Sequence, residues 1–254
     1  MATIGEFSLV EATDLTPGVW GGTITARATD GSFVDFKANT FTGEKTRSRL
    51  AELLSPYTLN WLVLEHGSHL AQLDSLSISG QHLPGDACLL TCPGNAVAFT
   101  TADCVPLIIS CQDTASQPLA LAIHAGWRSI ADGVIEKAIT VLLARSGNNP
   151  TSLRAWIGPA IEQSHYEIDD NTRLLLLNRI NNSANAESCF QANRPGHWLA
   201  DLDQIVELIL IGTGLSPRKI KGSGLGTFEN TAMHSARRDG ENAGRMATFV
   251  VLGM

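Results

Sequence analysis

The sequence predicts one α/β domain over residues 1–254, a mixed β-sheet flanked by helices, arranged as a three-layer α/β/α stack or as α+β. Three observations predict it. Apolar runs of strand length recur between turn residues. Two longer segments carry apolar residues at helical spacing behind good N-caps. Strands and helices mix without regular βαβ alternation, and no composition break, internal repeat, low-complexity tract or Pro/Ser-rich linker marks a boundary.

The elements follow in order. Val19 to Thr25 has strand character, with Gly21 and Gly22 as a candidate bulge. Glu44 to Leu54 suits a short helix with Leu50, Leu53 and Leu54 on one face. Trp61 to Leu64 is a brief apolar run leading into His66-Gly67. Ala87 to Leu90, Ala96 to Thr100 and Val105 to Ser110 are strands, the first two separated by the turn Cys92-Pro93-Gly94-Asn95. Leu119 to Ile123 is a buried strand ending at His124. A helix starts at Ser129, with Asp132 three residues on, Ile130, Val134, Ala138 and Val141 at helical spacing, and Gly147 closing it. Leu153 to Ile157 is a strand and Asn171 to Ile180 a helix. Asp201 and Gln204 open a second strong helix, whose inner face is Leu202, Ile205, Val206 and Ile209. Ala247 to Leu252 is a terminal strand.

Composition narrows the function. The chain carries 18 Lys+Arg against 25 Asp+Glu, a net charge of −7, which argues against bulk nucleic-acid binding. Apolar residues at 44% and charged residues at 17% give an ordinary core and argue against disorder. Five cysteines are too few for a disulfide scaffold. The first ten residues hold no basic start or long apolar stretch, and the uncharged run between Asp86 and Asp103 is interrupted by Pro93 and Gly94. Neither a secretory signal nor a membrane span is expected, and the cytoplasm is the expected location.

Three segments join an apolar strand to a metal-ligand residue type: Trp61 to Gly67 with His66, Thr101 to Pro106 with Cys104, and Ala122 to Arg128 with His124. Strand ends joined to loops are where α/β proteins place their sites. His66, Cys104 and His124 together make a His₂Cys set, which suits a zinc with one open position. Taken singly, Cys104 also fits a small buried hydrophobe and His124 a hydrogen-bonded core histidine. Cys88 and Cys92 lack a second close pair and are read, with Cys111 and Cys189, as ordinary thiols. His69 is read as a surface or supporting residue. Arg237-Arg238-Asp239-Gly240 and Gly244-Arg245 suit an anion cradle or, equally, a solvated loop with salt bridges. Tyr166-Glu167 is a candidate polar pair for a cleft. Gly-x-Gly-x-x-Gly, Walker and Gly-x-Ser-x-Gly motifs are absent. His165-Tyr166-Glu167 lacks the Pro-Cys-x-x-Cys that completes a zinc nucleobase deaminase signature.

Thr101-Ala102-Asp103-Cys104-Val105-Pro106, His124-Ala125-Gly126-Trp127-Arg128, Gly158-Pro159-Ala160-Ile161 with Tyr166-Glu167, and Arg237-Arg238-Asp239 with Gly244-Arg245 resemble the laccase-domain family. That family is also called polyphenol oxidase-like, peptidoglycan editing factor-like, or purine nucleoside phosphorylase of the laccase-domain type. The resemblance runs from about Trp61 to the C-terminus. It implies a single α/β domain with one zinc on His66, Cys104 and His124, which also stand as the catalytic set. It implies phosphorolysis of adenosine, inosine and methylthioadenosine, with adenosine deamination alongside. Arg27, in a Thr25-Ala26-Arg27 match without its usual glycine pair, and Arg245 are the candidate substrate contacts. Leu64-Glu65 before His66, Ser129 after Arg128, and Met233-His234 before Ser235 depart from the family pattern.

Two rival activities share the same residues. One is an amidase that edits peptidoglycan precursors. The other is a copper-binding polyphenol oxidase-like protein, since His₂Cys is also a blue-copper core. Seven histidines and no His-x-His pair disfavour a multicopper oxidase, so copper is the lesser choice beside Zn²⁺. The expected partners are nucleoside and phosphate, not nucleic acid or membrane. The sequence does not give the oligomeric state.

Overall fold

Sixteen strands and six α-helices form within residues 2–77 and 80–253, which the computed structural model describes. They run β1 (Ala2–Ile4), β2 (Phe7–Glu11), β3 (Val19–Ala28), α1 (Phe41–Leu53), β4 (Thr58–Val63), β5 (Leu70–Leu73), β6 (His82–Pro84), β7 (Ala87–Leu90) and β8 (Asn95–Thr101). Then come β9 (Val105–Gln112), β10 (Pro118–Ala125), α2 (Trp127–Ala131), α3 (Val134–Arg145), β11 (Arg154–Ile157), β12 (Glu167–Asp169) and α4 (Asp170–Ile180). The chain ends with β13 (Phe190–Arg194), β14 (His197–Ala200), α5 (Leu202–Gly212), β15 (Ile220–Gly222), α6 (Ala236–Asp239) and β16 (Met246–Leu252).

The mixed α/β class holds, and the layering is richer than one sheet. A seven-stranded sheet has the order β1-β2-β3-β16-β8-β4-β6, and a six-stranded sheet the order β15-β11-β9-β10-β7-β5. β12, β14 and β13 make a small antiparallel third sheet. The two large sheets pack face to face over Val97, Phe99, Ile108, Ala122, Trp156 and Val250. The outer face of the seven-stranded sheet is covered by α1 and by Val34 and Phe36. The outer face of the six-stranded sheet is covered by α2 to α5. A strand buried on both faces is apolar throughout whichever sheet covers it, so the sequence pattern alone does not separate one sheet from two. Each fully buried large side chain in these layers contributes about 1.5–3 kcal/mol.

Local chemistry sets the element ends. Thr40 Oγ1 accepts the Gly43 N–H at 3.0 Å, so α1 begins three residues before Glu44. Asp201 Oδ1 accepts the Gln204 N–H at 2.9 Å and caps α5 as expected, and Leu202, Ile205, Val206 and Ile209 are buried. Two expectations are corrected. The helix from Ser129 is broken into α2 and α3 at Gly133, which has φ +82°, and Ser129 caps neither piece. Its hydroxyl instead donates to Asp86 Oδ1 at 3.2 Å. Gly21 and Gly22 pair in regular register with Val250 and Phe249, and the irregularity lies at Phe7–Leu9. A Cβ on Gly21 would stand 2.1 Å from Phe249 O, so close backbone approach explains that glycine.

Candidate active site

β4, β8 and β10 each end, and β9 and β16 each begin, at one rim of the two packed sheets. Thr101 at the end of β8 lies opposite Met246 at the start of β16, and Val105 at the start of β9 lies opposite Ala125 at the end of β10. His66, Cys104, His124 and Arg245 line a single cleft of about 480 Å³ at this rim. His66 follows β4 in the seven-stranded sheet. Cys104 sits in the turn from β8 to β9, where the chain crosses between sheets, and His124 lies in β10 of the six-stranded sheet.

Asp86, fully buried, organises the two histidines. It accepts the backbone N–H groups of Glu65 at 3.1 Å, His66 at 3.1 Å and Gly67 at 2.9 Å. These bonds hold His66 at φ +56°, a conformation rare outside glycine. Asp86 Oδ1 also lies 2.8 Å from His124 Nδ1. Burial opposes ionisation of Asp86, but the His124 bond and the backbone N–H groups outweigh it and hold the carboxyl below its usual range. An ionised carboxylate only accepts, so Nδ1 carries the proton and Nε2 is left for the cleft. Burial disfavours charge on His124, yet Cys104 and Asp86 prevail and push the imidazole up to about 9, so near neutral pH Nε2 also carries a proton, which a metal ion would displace on binding. Burial and the neighbouring His124 lower His66.

Asp103 plays the matching part for Cys104. It has φ +89°, its Oδ1 accepts from Thr227 Oγ1 at 2.6 Å and its Oδ2 from the Arg237 N–H at 2.7 Å. Its carbonyl accepts the Ile161 N–H at 3.0 Å. Three of the sequence segments singled out above therefore meet at one aspartate.

A family described as multi-copper polyphenol oxidoreductase laccase matches residues 38–253. The chain belongs to this laccase-domain family. A curated relative from Xylella fastidiosa (strain 9a5c), named purine nucleoside phosphorylase, is 33% identical over 214 residues, covering 83% of this chain and 78% of the relative. Escherichia coli (strain K12) purine nucleoside phosphorylase YfiH is 30% identical over 193 residues, 76% of this chain and 73% of that protein. The crystal structure of YlmD from Geobacillus stearothermophilus shares the fold, with a TM-score of 0.81 at 24% identity, over 96% of this chain and 94% of that one.

Not every residue of the laccase-domain motifs reaches the cleft. Arg27 does not: it stacks over Phe33 at 4.3 Å, donates to Gly31 O at 3.4 Å, and lines a separate cavity with His234 and Arg238. Arg237 and Arg238 are held by carbonyls, Arg237 at His165 O and Glu167 O and Arg238 at Thr227 O, Phe228 O and Met233 O. Arg238 also pairs with Asp239 at 2.7 Å. These two arginines knit loops together and leave the anion-cradle reading to Arg245. Glu167 pairs with Arg194 at 2.6 Å on the surface, and exposed His69 faces Glu65 at 3.4 Å. Asp86 and the cleft residue Arg47 escape a sequence reading of motifs. Arg47 had one available signal, since it shares the inner face of α1 with Leu50 and Leu54 at spacings of three and seven.

Among the described residues no three His, Cys, Asp or Glu side chains converge closely enough, as they stand, to hold a metal ion. The donor set nevertheless fits one. A Cβ on Gly126 would lie 3.2 Å from both Cys104 Sγ and His124 Cε1, so glycine there leaves a space that two donors border. The His66 and His124 ring centres are 5.2 Å apart. A carboxylate behind a histidine, as Asp86 stands behind His124, is the usual support of an imidazole ligand.

Proposed function

We propose that this chain is a metal-dependent purine nucleoside phosphorylase acting on adenosine, inosine and methylthioadenosine, with adenosine deamination as a second activity. The observation that carries the reading is the cleft, in which two imidazoles, a thiol and arginine side chains share about 480 Å³, a volume in the range of small-molecule sites. The names of the two curated relatives support it. Zinc is the ion assigned to His66, Cys104 and His124. No methionine is among the described residues lining the cleft, which disfavours a blue-copper arrangement with axial Met. When bound, the ion supplies Lewis-acid polarisation of a substrate oxygen.

The chain's own residues do the rest. Asp86 fixes the His124 tautomer and the His66 backbone, so both imidazoles are oriented before substrate arrives. Arginine side chains on the cleft wall bind anion and hold it against the ribose. In the reaction a phosphate oxygen forms a bond to C1′ and the C1′–N9 bond breaks. Its electron pair leaves on the purine, which takes up one proton, giving free base and ribose 1-phosphate. Nucleoside and phosphate are the partners this reading assigns. No helix among the described residues is long and apolar enough to cross a membrane, and the five cysteines are free thiols, which supports a reducing, cytoplasmic setting.

The test is metal-quantified protein incubated with adenosine, inosine or methylthioadenosine, with and without phosphate, followed by chromatography of base, ribose 1-phosphate and inosine. Phosphate-dependent release of base is expected. No turnover of any purine nucleoside by the metal-loaded protein would overturn the reading and turn attention to amide substrates.

A further inference from the structure

Among the described residues Arg47 is the only lysine or arginine that is buried, at 8% exposure. A guanidinium removed from water is ordinarily paired with a carboxylate that offsets the desolvation cost. Arg47 forms no ion pair among the described residues. Its Nε donates to Phe36 O at 3.0 Å, and its guanidinium lies 4.1 Å from the centre of the Trp61 ring. Both contacts aim the fork without neutralising it. Burial pulls the group down from the usual arginine range and Glu44 and Asp35 resist this, but a guanidinium keeps its charge in any physiological medium. Arg47 lines the same cleft as His66, Cys104 and His124.

Two further donors line that wall. Arg245 Nη1 is bonded to Ala243 O at 3.0 Å and Gly244 O at 2.9 Å, and its Nη2 has no protein partner among the described residues. Thr101, 2% exposed, holds a buried hydroxyl with no hydrogen-bond partner among the described residues. An orphaned buried hydroxyl is costly unless something else satisfies it. Glu44 is the opposing charge on the wall, and its Oε1 accepts the Asn39 N–H at 3.1 Å. Two guanidinium groups against this carboxylate leave these three side chains net positive.

We propose that Arg47, Arg245 and Thr101 form an oxyanion subsite in the cleft, and that its ligand is the inorganic phosphate that attacks the nucleoside. The proposal deepens the phosphorylase reading and rests on it for the identity of the anion. The Arg47 fork offers two parallel N–H donors to two phosphate oxygens. Thr101 donates its hydroxyl hydrogen to a third. Glu44 accepts from the protonated oxygen of hydrogenphosphate, the one oxygen of that ion able to donate.

The test uses the full chain and inorganic phosphate, read in two ways. Without nucleoside, phosphate raises the wild-type thermal midpoint by mass action, and Arg47→Gln and Thr101→Val lose that rise. In turnover, Arg47→Gln raises the KM for phosphate about 10- to 100-fold while the KM for inosine stays within about twofold. Arg47→Lys, which keeps the charge without the fork, recovers part of the loss. Thr101→Val removes a hydroxyl that no protein group uses, so its unliganded midpoint does not fall and its lost phosphate response is not unfolding. An unchanged phosphate response in both variants, or equal movement of both KM values, overturns the subsite. So does a response to acetate that phosphate does not produce. Nucleoside cleavage with an unaltered phosphate KM in Arg47→Gln overturns the subsite and leaves the phosphorylase reading standing. An Arg47-dependent phosphate response without any nucleoside cleavage supports the subsite and overturns that reading.

Discussion

Two cavities of this molecule have the same volume, about 480 Å³, and each holds an arginine stacked on an aromatic ring beside a histidine. At the rim of the sheets Arg47 lies over Trp61, near His66 and His124. In the second cavity Arg27 lies over Phe33, near His234. The resemblance ends with their surroundings. Trp61 is 5% exposed and Phe33 is 61% exposed. His234 Nε2 lies 2.7 Å from Val34 O and Arg238 is bonded to four carbonyls and Asp239, so the donors around Arg27 are already committed. Around Arg47 some are free: Arg245 Nη2 and the Thr101 hydroxyl have no protein partner among the described residues. An arginine becomes an anion receptor through burial without a partner, and a motif match does not report that.

The first way to break the comparison is to remove chemistry from one cavity. Cys104→Ala is expected to reduce bound metal to background and to abolish phosphate-dependent release of base, while far-ultraviolet circular dichroism is retained. Full turnover in this variant would return the two cavities to equal standing. Asp86→Asn comes next. It keeps one acceptor oxygen and loses the carboxylate charge behind His124, so metal affinity is expected to fall about 10- to 100-fold. A competition titration with a chromophoric chelator measures it, and wild-type affinity would show that Asp86 does not orient the donors.

A buried charge without a partner can also be negative, and Asp203 sharpens the rule. Its Oδ1 is buried and unpartnered among the described residues, and burial, reinforced by Asp201, Glu162 and Glu207, pushes the carboxyl up to about 7. Arg47 cannot give up its charge and Asp203 can. The unfolded-state value is 3.8, so between about pH 4 and 7 the folded chain binds the extra proton. Stability therefore falls as pH rises through that window. Asp203→Asn is expected to stabilise the chain on the order of 2 kcal/mol at pH 8, and not at pH 4. Urea melts at both pH values check this; an equal shift at both would remove the assignment. The smallest effect is expected from Arg27→Gln, with stability within about 0.5 kcal/mol of wild type and KM values for phosphate and inosine within about twofold. A tenfold rise in the phosphate KM would place the anion at the wrong cavity in our account.

The sequence made some of this legible and hid the rest for physical reasons. The Asp201–Gln204 cap and the apolar face behind it are local, so α5 could be read directly. Ala87 to Leu90 needed only its own run of apolar residues. The candidate donors His66, Cys104 and His124 stand out because each interrupts or ends such a run with a polar residue of known chemistry. Asp86 did not stand out, because its partners lie 20 and 38 residues away and nothing near Gly85-Asp86 points to them. Ser129 departs from the expected cap for a similar reason. Its position before Ile130 suits a cap, but a distant carboxylate claims its hydroxyl. Arg47 is hard to read from sequence because a basic residue in a helix is normally solvated. Its place on the Leu50 and Leu54 face was the visible exception.

The candidate donors of the rim come from both large sheets, with His66 after a strand of one, His124 within a strand of the other, and Cys104 at the crossing between them. A ligand gripped by all three would act as a rivet through the sandwich at its open end. Peeling the layers apart would then require releasing the ligand first. Amide protons of β4, β8, β9 and β10 should exchange with deuterium in step with one another in the loaded protein, and the β4 side should loosen ahead of β10 once the rivet is drawn.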